Sequence, residues 1–444
     1  MINKYIIKEV LCISFPVVCE MLVFTLTSVF TLMMIGNFGG NEAVAAVGLG
    51  NGIVFTFSDI LVSEGICIGI APFVAKNMGA RKYKMVEEYA TIGFFLGISI
   101  SFFTSYLIFT FAEKILILLG AKGKILITSC MFTKITAIAM FFYMITNVIY
   151  AILRAIGNTY SPFLISSITA LIKLILDVVL IFGLIINPLG ILGAAIASVV
   201  SQMIGFIIAL FYILFKSKVK LRIKYLFSLS MEKIKELLYL SIPSGLEEGT
   251  YSIGKLVGNY IIMYTGIVSF AAHQITSSIY CISDMIGFAF TTATTALVGI
   301  KRGARKYEEA NKYVHNANFC AVFIMVILSL ILVIMPKTIV SLFIGAEDEK
   351  VIIVASKCLI ISAMELPTLS IFAVYSGALK GMGDTKSSFI ISLISSWVIA
   401  LPLTFYVIRI LKLSLIYAWY ISVLQSFIEA ILVIIWYNYA RKRT

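Results

Sequence analysis

The sequence predicts an all-α integral membrane fold: twelve transmembrane helices in two parallel-repeat six-helix lobes around a central cleft. Three observations predict it. The chain is 61% hydrophobic and 13% charged over 444 residues, where soluble domains run at about 45–50% and about 25%. Apolar runs of about 18 residues or more, the mark of spanning helices, recur along the whole length. The pentapeptide Gly79-Ala80-Arg81-Lys82-Tyr83 returns unchanged as Gly303-Ala304-Arg305-Lys306-Tyr307. Other pairs keep nearly the same spacing: Pro16 with Pro243, Asp59 with Asp284, and Gly157-Asn158-Thr159 with Gly383-Asp384-Thr385. A period this long is an internal duplication, and it fixes the architecture before any local reading.

The first half, 1–215, holds spans near 9–36, 44–75, 86–112, 128–153, 161–186 and 190–215. The opening run follows two lysines and is far longer than a signal peptide's apolar stretch. No small-residue cleavage site follows, so it reads as a retained helix. Residues 216–235 form the longest polar connection, a basic, partly helical linker. The second half, 236–444, holds spans near 236–264, 270–300, 311–335, 350–379, 387–410 and 414–437. Six is even, so both halves enter the bilayer from one face and the repeat is parallel. A site at the seam of such a repeat, opened alternately to each side, is the expected consequence; a scaffold that transports nothing is the alternative.

The formal net charge of +13 is no nucleic-acid footprint. By loop alternation, 24 of the 35 Lys and Arg residues fall on one side of the membrane. The positive-inside rule then puts both termini in the cytoplasm and the protein in the cell membrane as a multi-pass chain. The seven cysteines show no paired spacing, so they read as small apolar packing residues and not as disulfide or zinc partners. There is no Gly-x-x-x-x-Gly-Lys-Ser/Thr loop for nucleotide-driven pumping. Only His273 and His315 could serve histidine chemistry, and they lie far apart. An enzyme is not expected, nor a cofactor, a metal site or a nucleic-acid partner.

Several stretches carry a more specific likeness. They are Ala378-Leu379-Lys380-Gly381-Met382-Gly383-Asp384-Thr385, Ala271-Ala272-His273-Gln274-Ile275, Ala296-Leu297-Val298-Gly299 with Gly303-Ala304, and Asp177-Val178-Val179-Leu180-Ile181-Phe182-Gly183. Together they resemble the loops and helix ends of the multidrug and toxic compound extrusion (MATE) family, within the wider multidrug/oligosaccharidyl-lipid/polysaccharide exporter superfamily. The likeness covers both halves at matching places. It implies a secondary antiporter, a monomer in the bilayer, exporting small amphipathic, cationic compounds against entry of protons or sodium. A flippase for lipid-linked oligosaccharide is the related alternative, because Lys173 and Lys255 supply positive charge inside apolar runs.

Charges inside apolar runs must be paired or line a wet cavity, because each costs roughly 2.5–3.5 kcal/mol or more at the bilayer centre. Lys173 and Asp177 are four apart and share one face of the fifth span. They read either as an ion-coupling site or as a neutral pair that orders the helix. Here the chain departs from the family it resembles. The family's acidic residue in the first span falls at Thr31, and its frequent Asn falls at Lys173. The resemblance makes that region a cation and proton site, so the expectation is that Lys173 acts as a tethered cation on Asp177 and first-half sodium coupling is lost. Protons are therefore the preferred coupling ion, with sodium the less favoured.

Glu20 and Glu247 each lie four residues after a matched proline, Pro16 and Pro243. A proline frees a carbonyl one turn back, so each glutamate is either a gate or a side chain reaching for the interface. Glu248, Ser252, Lys255 and Asn259 form one polar stripe at helical spacing, which should face protein or a cleft and not lipid. Asp59 and Asp284 are repeat mates, and Glu64 and Glu365 are further intramembrane acids. The first-half candidates for ion coupling or substrate are thus Asp177, Lys173, Thr31, Glu20 and Asp59. The second-half candidates are Glu247, Glu248, Lys255, Asp284 and Glu365. Any single one could equally be a structural hydrogen-bonding group.

Overall fold

A computed structural model describes residues 3–184, 187–222, 224–227, 230–344 and 348–442, and among them every regular element is helical. The chain runs through α1 (Lys4–Ser58), a π-helical stretch (Asp59–Ile66), α2 (Cys67–Gly79), α3 (Tyr83–Leu118), α4 (Gly123–Ala155), α5 (Tyr160–Phe182) and α6 (Ile191–Phe211). A short α7 (Lys224–Phe227) follows in the basic connection. Then come α8 (Met231–Met263), α9 (Ile267–Gly303), α10 (Tyr307–Ile334), α11 (Pro336–Ser341), α12 (Glu349–Ala363), α13 (Leu366–Met382), α14 (Thr385–Leu393), α15 (Leu401–Phe405) and α16 (Leu415–Lys442).

By length and apolarity, nine helices among the described residues qualify as spans. The twelve of the sequence reading emerge from three particulars. The first run, Lys4–Gly79, is 76 residues long; at about 1.5 Å per residue it is several times the roughly 30 Å hydrocarbon core. It breaks at Gly40, whose φ of 64° and ψ of −162° only glycine adopts easily, and so makes two spans. The helices α12 and α13, bent by 45° at Glu365, together make one. The remaining span is α8, whose Glu247, Glu248 and Lys255 leave it too polar to qualify by composition alone.

The duplication is legible in backbone hydrogen bonds. In the first basic turn, the amides of Ala80, Arg81 and Lys82 donate to the carbonyls of Lys76, Met78 and Asn77 at 3.0, 3.1 and 2.9 Å. In the second, Ala304, Arg305 and Lys306 donate to Ile300, Arg302 and Lys301 at 3.1, 2.9 and 2.9 Å. Arg81 and Arg305 carry matching left-handed φ of 58° and 60°. The ends of α4 and α13 match as well. Gly157 and Gly383 turn the chain at φ of 86° and 87°, and Asn158 and Asp384 then cap the next helix through the amides of Ser161 and Ser387 at 3.1 and 3.0 Å. Identical short sequence has produced identical local geometry in both halves.

Two compact units result, Phe15–Gly245 and Met1–Ser14 with Leu246–Thr444. The first has a buried cluster around Ile35, Val47, Phe132 and Ile181. In the second, Ile6, Val10 and Ile13 of α1 pack with Phe290, Val314 and Leu379. The same N-terminal turn is held by the Asn3 amide on Asn316 Oδ1 at 2.7 Å and by the Tyr313 hydroxyl on Glu9.

Within the second unit, α9 and α13 pack through small residues. Thr291 and Thr295 hydroxyls donate to the Ala373 and Gly377 carbonyls, each at 2.9 Å. A Cβ added at Gly377 would meet the Thr291 backbone, its carbonyl oxygen at 2.5 Å and its Cα at 2.9 Å. Backbone cannot swing aside, so Gly377→Ala should push the helices apart and destabilise the unit by about 1–3 kcal/mol. A shift in the unfolding midpoint of purified protein measures this, and an unchanged midpoint would show that the close approach carries no stability.

Candidate functional site

Polar groups stand inside the helices of both units, and the two units are not alike. In the first unit, one turn of α5 brings Lys173 and Asp177 together. Lys173 Nζ donates to Asp177 Oδ2 at 2.7 Å and to Thr31 Oγ1 at 3.0 Å, and Thr31 Oγ1 donates to the same Oδ2 at 2.6 Å. Asp177 is fully buried, and its second oxygen, Oδ1, has no hydrogen-bond partner among the described residues. The three positions singled out in the sequence are thus one contact cluster. The ammonium therefore stands within hydrogen-bonding reach of both the carboxylate and the hydroxyl.

Glu20 is elsewhere. Pro16 interrupts α1 one turn before it, and its carboxylate pairs with Arg154 of α4 at 2.7 Å, with both side chains largely buried. Asp59 opens the π-helical stretch that also carries Glu64. A π turn widens the helix and recurs at functional positions. No hydrogen bond or ion pair among the described residues joins Asp59 or Glu20 to the Thr31–Lys173–Asp177 cluster.

The second unit repeats the ion pair. Pro243 interrupts α8, Glu247 Oε2 lies 3.3 Å from Lys380 Nζ of α13, and Ser388 Oγ donates to Glu247 Oε1 at 2.9 Å. Arg154 and Lys380 sit at the ends of α4 and α13, the first largely buried and the second buried, each turned onto a proline-linked glutamate. Glu248, one residue on and about 100° around the helix, accepts from Ser252 at 3.1 Å.

The polar stripe on α8 then opens into a cavity of about 210 Å³ within the second unit, lined among others by Lys255, Asn259, His273, Tyr280, Asp284 and Trp419. His273 Nε2 and Asn259 Oδ1 are 3.0 Å apart, so a proton on Nε2 would be donated to the amide oxygen. Behind the cavity, Glu365 stands at the bend between α12 and α13. It accepts from the Tyr280 hydroxyl and from Ser422, each at 2.9 Å. Tyr280 and Ser422 also line the cavity, so Glu365 is one hydrogen bond removed from it.

One buried acid escaped the sequence reading. Glu429 of α16 accepts from Ser395 and, at 3.0 Å, from Gln425. A single carboxylate in the apolar run Ser426-Phe427-Ile428-Glu429-Ala430 was the available signal. Trp419 and Tyr280 were not singled out either, since aromatic residues are abundant and only contact distinguishes them.

Comparison with known proteins gives the geometry its context. The model of the MatE family matches residues 16–179 and 243–406, one copy in each half. A probable multidrug resistance protein NorM of Thermotoga maritima is 26% identical over 413 residues, covering 93% of this chain and 88% of its own. An uncharacterized transporter, YisQ, of Bacillus subtilis is 24% identical over 394 residues, covering 88% and 86%. Among solved structures, MATE in complex with MaL6 superimposes with a TM-score of 0.91 at 21% identity, over 99% of this chain and 98% of the other. A transporter of the MOP superfamily from Pyrococcus furiosus, described as having a binding pocket of reverse polarity, matches with a TM-score of 0.91 at 21% identity, over 100% and 99%. The helices, turns and span count are therefore those of a known membrane fold.

Proposed function

This chain belongs to the MatE family, and on that premise we propose that it is a secondary antiporter. It exports small amphipathic compounds by alternating access, and the proton is the ion that drives it. The observation that carries the choice of ion is the contrast between the units. Asp177 of the first unit is already occupied by Lys173 and Thr31. Asp284 of the second unit instead faces a cavity, with Glu365 behind it. A sodium ion wants several oxygen ligands, and the first unit offers an ammonium in their midst. A carboxylate facing a cavity can take and release a proton, and the exchange is driven if the two access states hold that proton unequally.

Export of a fluorescent organic cation from vesicles tests this, with the proton and sodium gradients collapsed separately. Collapse of the proton gradient should stop export, and collapse of the sodium gradient should leave it intact. The reverse pattern would defeat the choice of ion, and export indifferent to both would defeat the antiporter.

The first unit supports a second prediction. Replacing the ammonium by an amide in Lys173→Asn removes the tethered charge but keeps a polar group beside Asp177. The variant should then bind a free cation there. Its unfolding midpoint should rise with added sodium chloride relative to choline chloride, by the equivalent of about 2–3 kcal/mol at a hundredfold excess over Kd. The parent should not respond. A parent that responds as strongly as the variant would show that Lys173 does not stand in for an ion.

A further inference from the structure

Two basic stretches of the first unit meet where α3 begins. The turn before α3 exposes Arg81, Lys82 and Lys84. Beyond α6 the linker is extended: Ser217 has φ of −73° and ψ of 151°, and the Val219 amide donates to Ser217 Oγ at 3.2 Å. Ser217 and Val219 are buried, and the exposed Lys216, Lys218 and Lys220 alternate with them. The linker is fastened to α3. The Arg222 guanidinium lies 2.7 Å from Glu87, and its amide donates to Thr91 Oγ1 at 3.1 Å. Lys233 pairs with Glu88, and the Tyr89 hydroxyl donates to Glu236. Glu87 and Glu88 stand about one turn beyond Lys84, so the fastening sets the linker's lysines beside those of the turn.

The same fastening uses up the local acids. Among the described residues Glu87 and Glu88 are paired with Arg222 and Lys233, and Arg81, Lys82, Lys84, Lys218 and Lys220 form no ion pair. The repeated turn of the second unit differs. There Lys306 lies 2.9 Å from Glu309, and Lys301 lies 3.6 Å from it. The lysine of one pentapeptide is thus matched in one unit and unmatched in the other. Aromatic residues flank the unmatched cations. Phe211 and Phe215, with ring centroids 4.9 Å apart, are 53% and 66% exposed just before Lys216, and Tyr83 within the turn is 53% exposed. Exposed aromatics beside lysines belong at the level of lipid headgroups.

We propose that this face of the first unit binds anionic phospholipid headgroups of the cytoplasmic leaflet. Lys82, Lys84, Lys218 and Lys220 meet the lipid phosphates, and Phe211 and Phe215 lie where the acyl chains begin. A phosphatidylcholine headgroup offers the same phosphate but brings its own ammonium, which the patch repels. Each cation near an anionic lipid surface is worth about fivefold in affinity. Lipid binding here is independent of what the chain exports.

The test is native mass spectrometry of the full-length protein in micelles containing equal amounts of phosphatidylglycerol and phosphatidylcholine. The parent should retain phosphatidylglycerol at least about tenfold over phosphatidylcholine. The variant with Lys82→Gln, Lys84→Gln, Lys218→Gln and Lys220→Gln should fall to within about twofold of parity. Arginine at the same four positions should keep the preference. A control with the same change of charge in the second unit, Lys301→Gln, Arg305→Gln, Lys306→Gln and Lys312→Gln, should keep it too. Excess inorganic phosphate should not displace the lipid. A parent without preference overturns the proposal, as does a preference that survives the first set of glutamines. A control that loses the preference equally shows that net charge alone attracts the lipid and overturns the site. Displacement by inorganic phosphate shows that the patch reads phosphate and not lipid, and overturns it as well.

Discussion

Arg154→Met is expected to destabilise the first unit by about 3–5 kcal/mol, the usual consequence of stranding one member of a buried ion pair. Glu20 would keep its charge at a largely buried position and lose a guanidinium at 2.7 Å. The decisive measurement is the double variant Glu20→Gln with Arg154→Met. Replacing a whole buried pair by uncharged groups is often neutral or stabilising, so the double variant should recover most of the lost stability. Urea or thermal unfolding of the purified protein reads both. A single variant as stable as the parent, or a double variant no better than the single, would show that the pair does not hold these helices. The repeat supplies an internal control. Lys380→Met breaks the equivalent pair in the second unit, but there the contact is longer, at 3.3 Å, and Ser388 still donates to Glu247. Its loss should be the smaller of the two.

The other large effect is on transport. Asp284→Asn is expected to reduce proton-driven export at least tenfold, to the level of empty vesicles, while exchange of labelled for unlabelled substrate without a gradient continues. The first requires a group that carries a proton, whereas the second requires only a ligand that crosses. Glu365→Gln is the companion variant. Its amide oxygen can still accept from Tyr280 and its amide nitrogen can find Ser422, so the bend between α12 and α13 should survive. If Glu365 belongs to the same relay, export falls as it does for Asp284→Asn. If it only pins the bend, export persists. Undiminished proton-driven export in both variants would remove the second unit from the coupling mechanism.

Much of this architecture was readable before any coordinates. The repeated Gly-Ala-Arg-Lys-Tyr turn predicted two like halves, and the two turns close through matching hydrogen bonds. The i, i+4 spacing of Lys173 and Asp177 predicted their contact, and Thr31 arrived there through the family likeness. Partners far apart in the chain were not readable. Arg154 lies 134 residues from Glu20, and Lys380 lies 133 from Glu247. Nothing local separates a lysine at a helix end that reaches water from one that turns inward. Glu429 was lost for a similar reason, since its meaning depends on Ser395 of a different helix. Periodicity reports which face a residue occupies, whereas coupling depends on what stands opposite.

The N-terminal turn has a consequence for biosynthesis. Glu9 is made 304 residues ahead of the tyrosine that binds it. At about 5–20 residues per second, the first helix must wait on the order of 15–60 s for its companions. Through that interval Ile6, Val10 and Ile13 have only lipid, chaperone or translocon for company, so they find their native neighbours long after they are made.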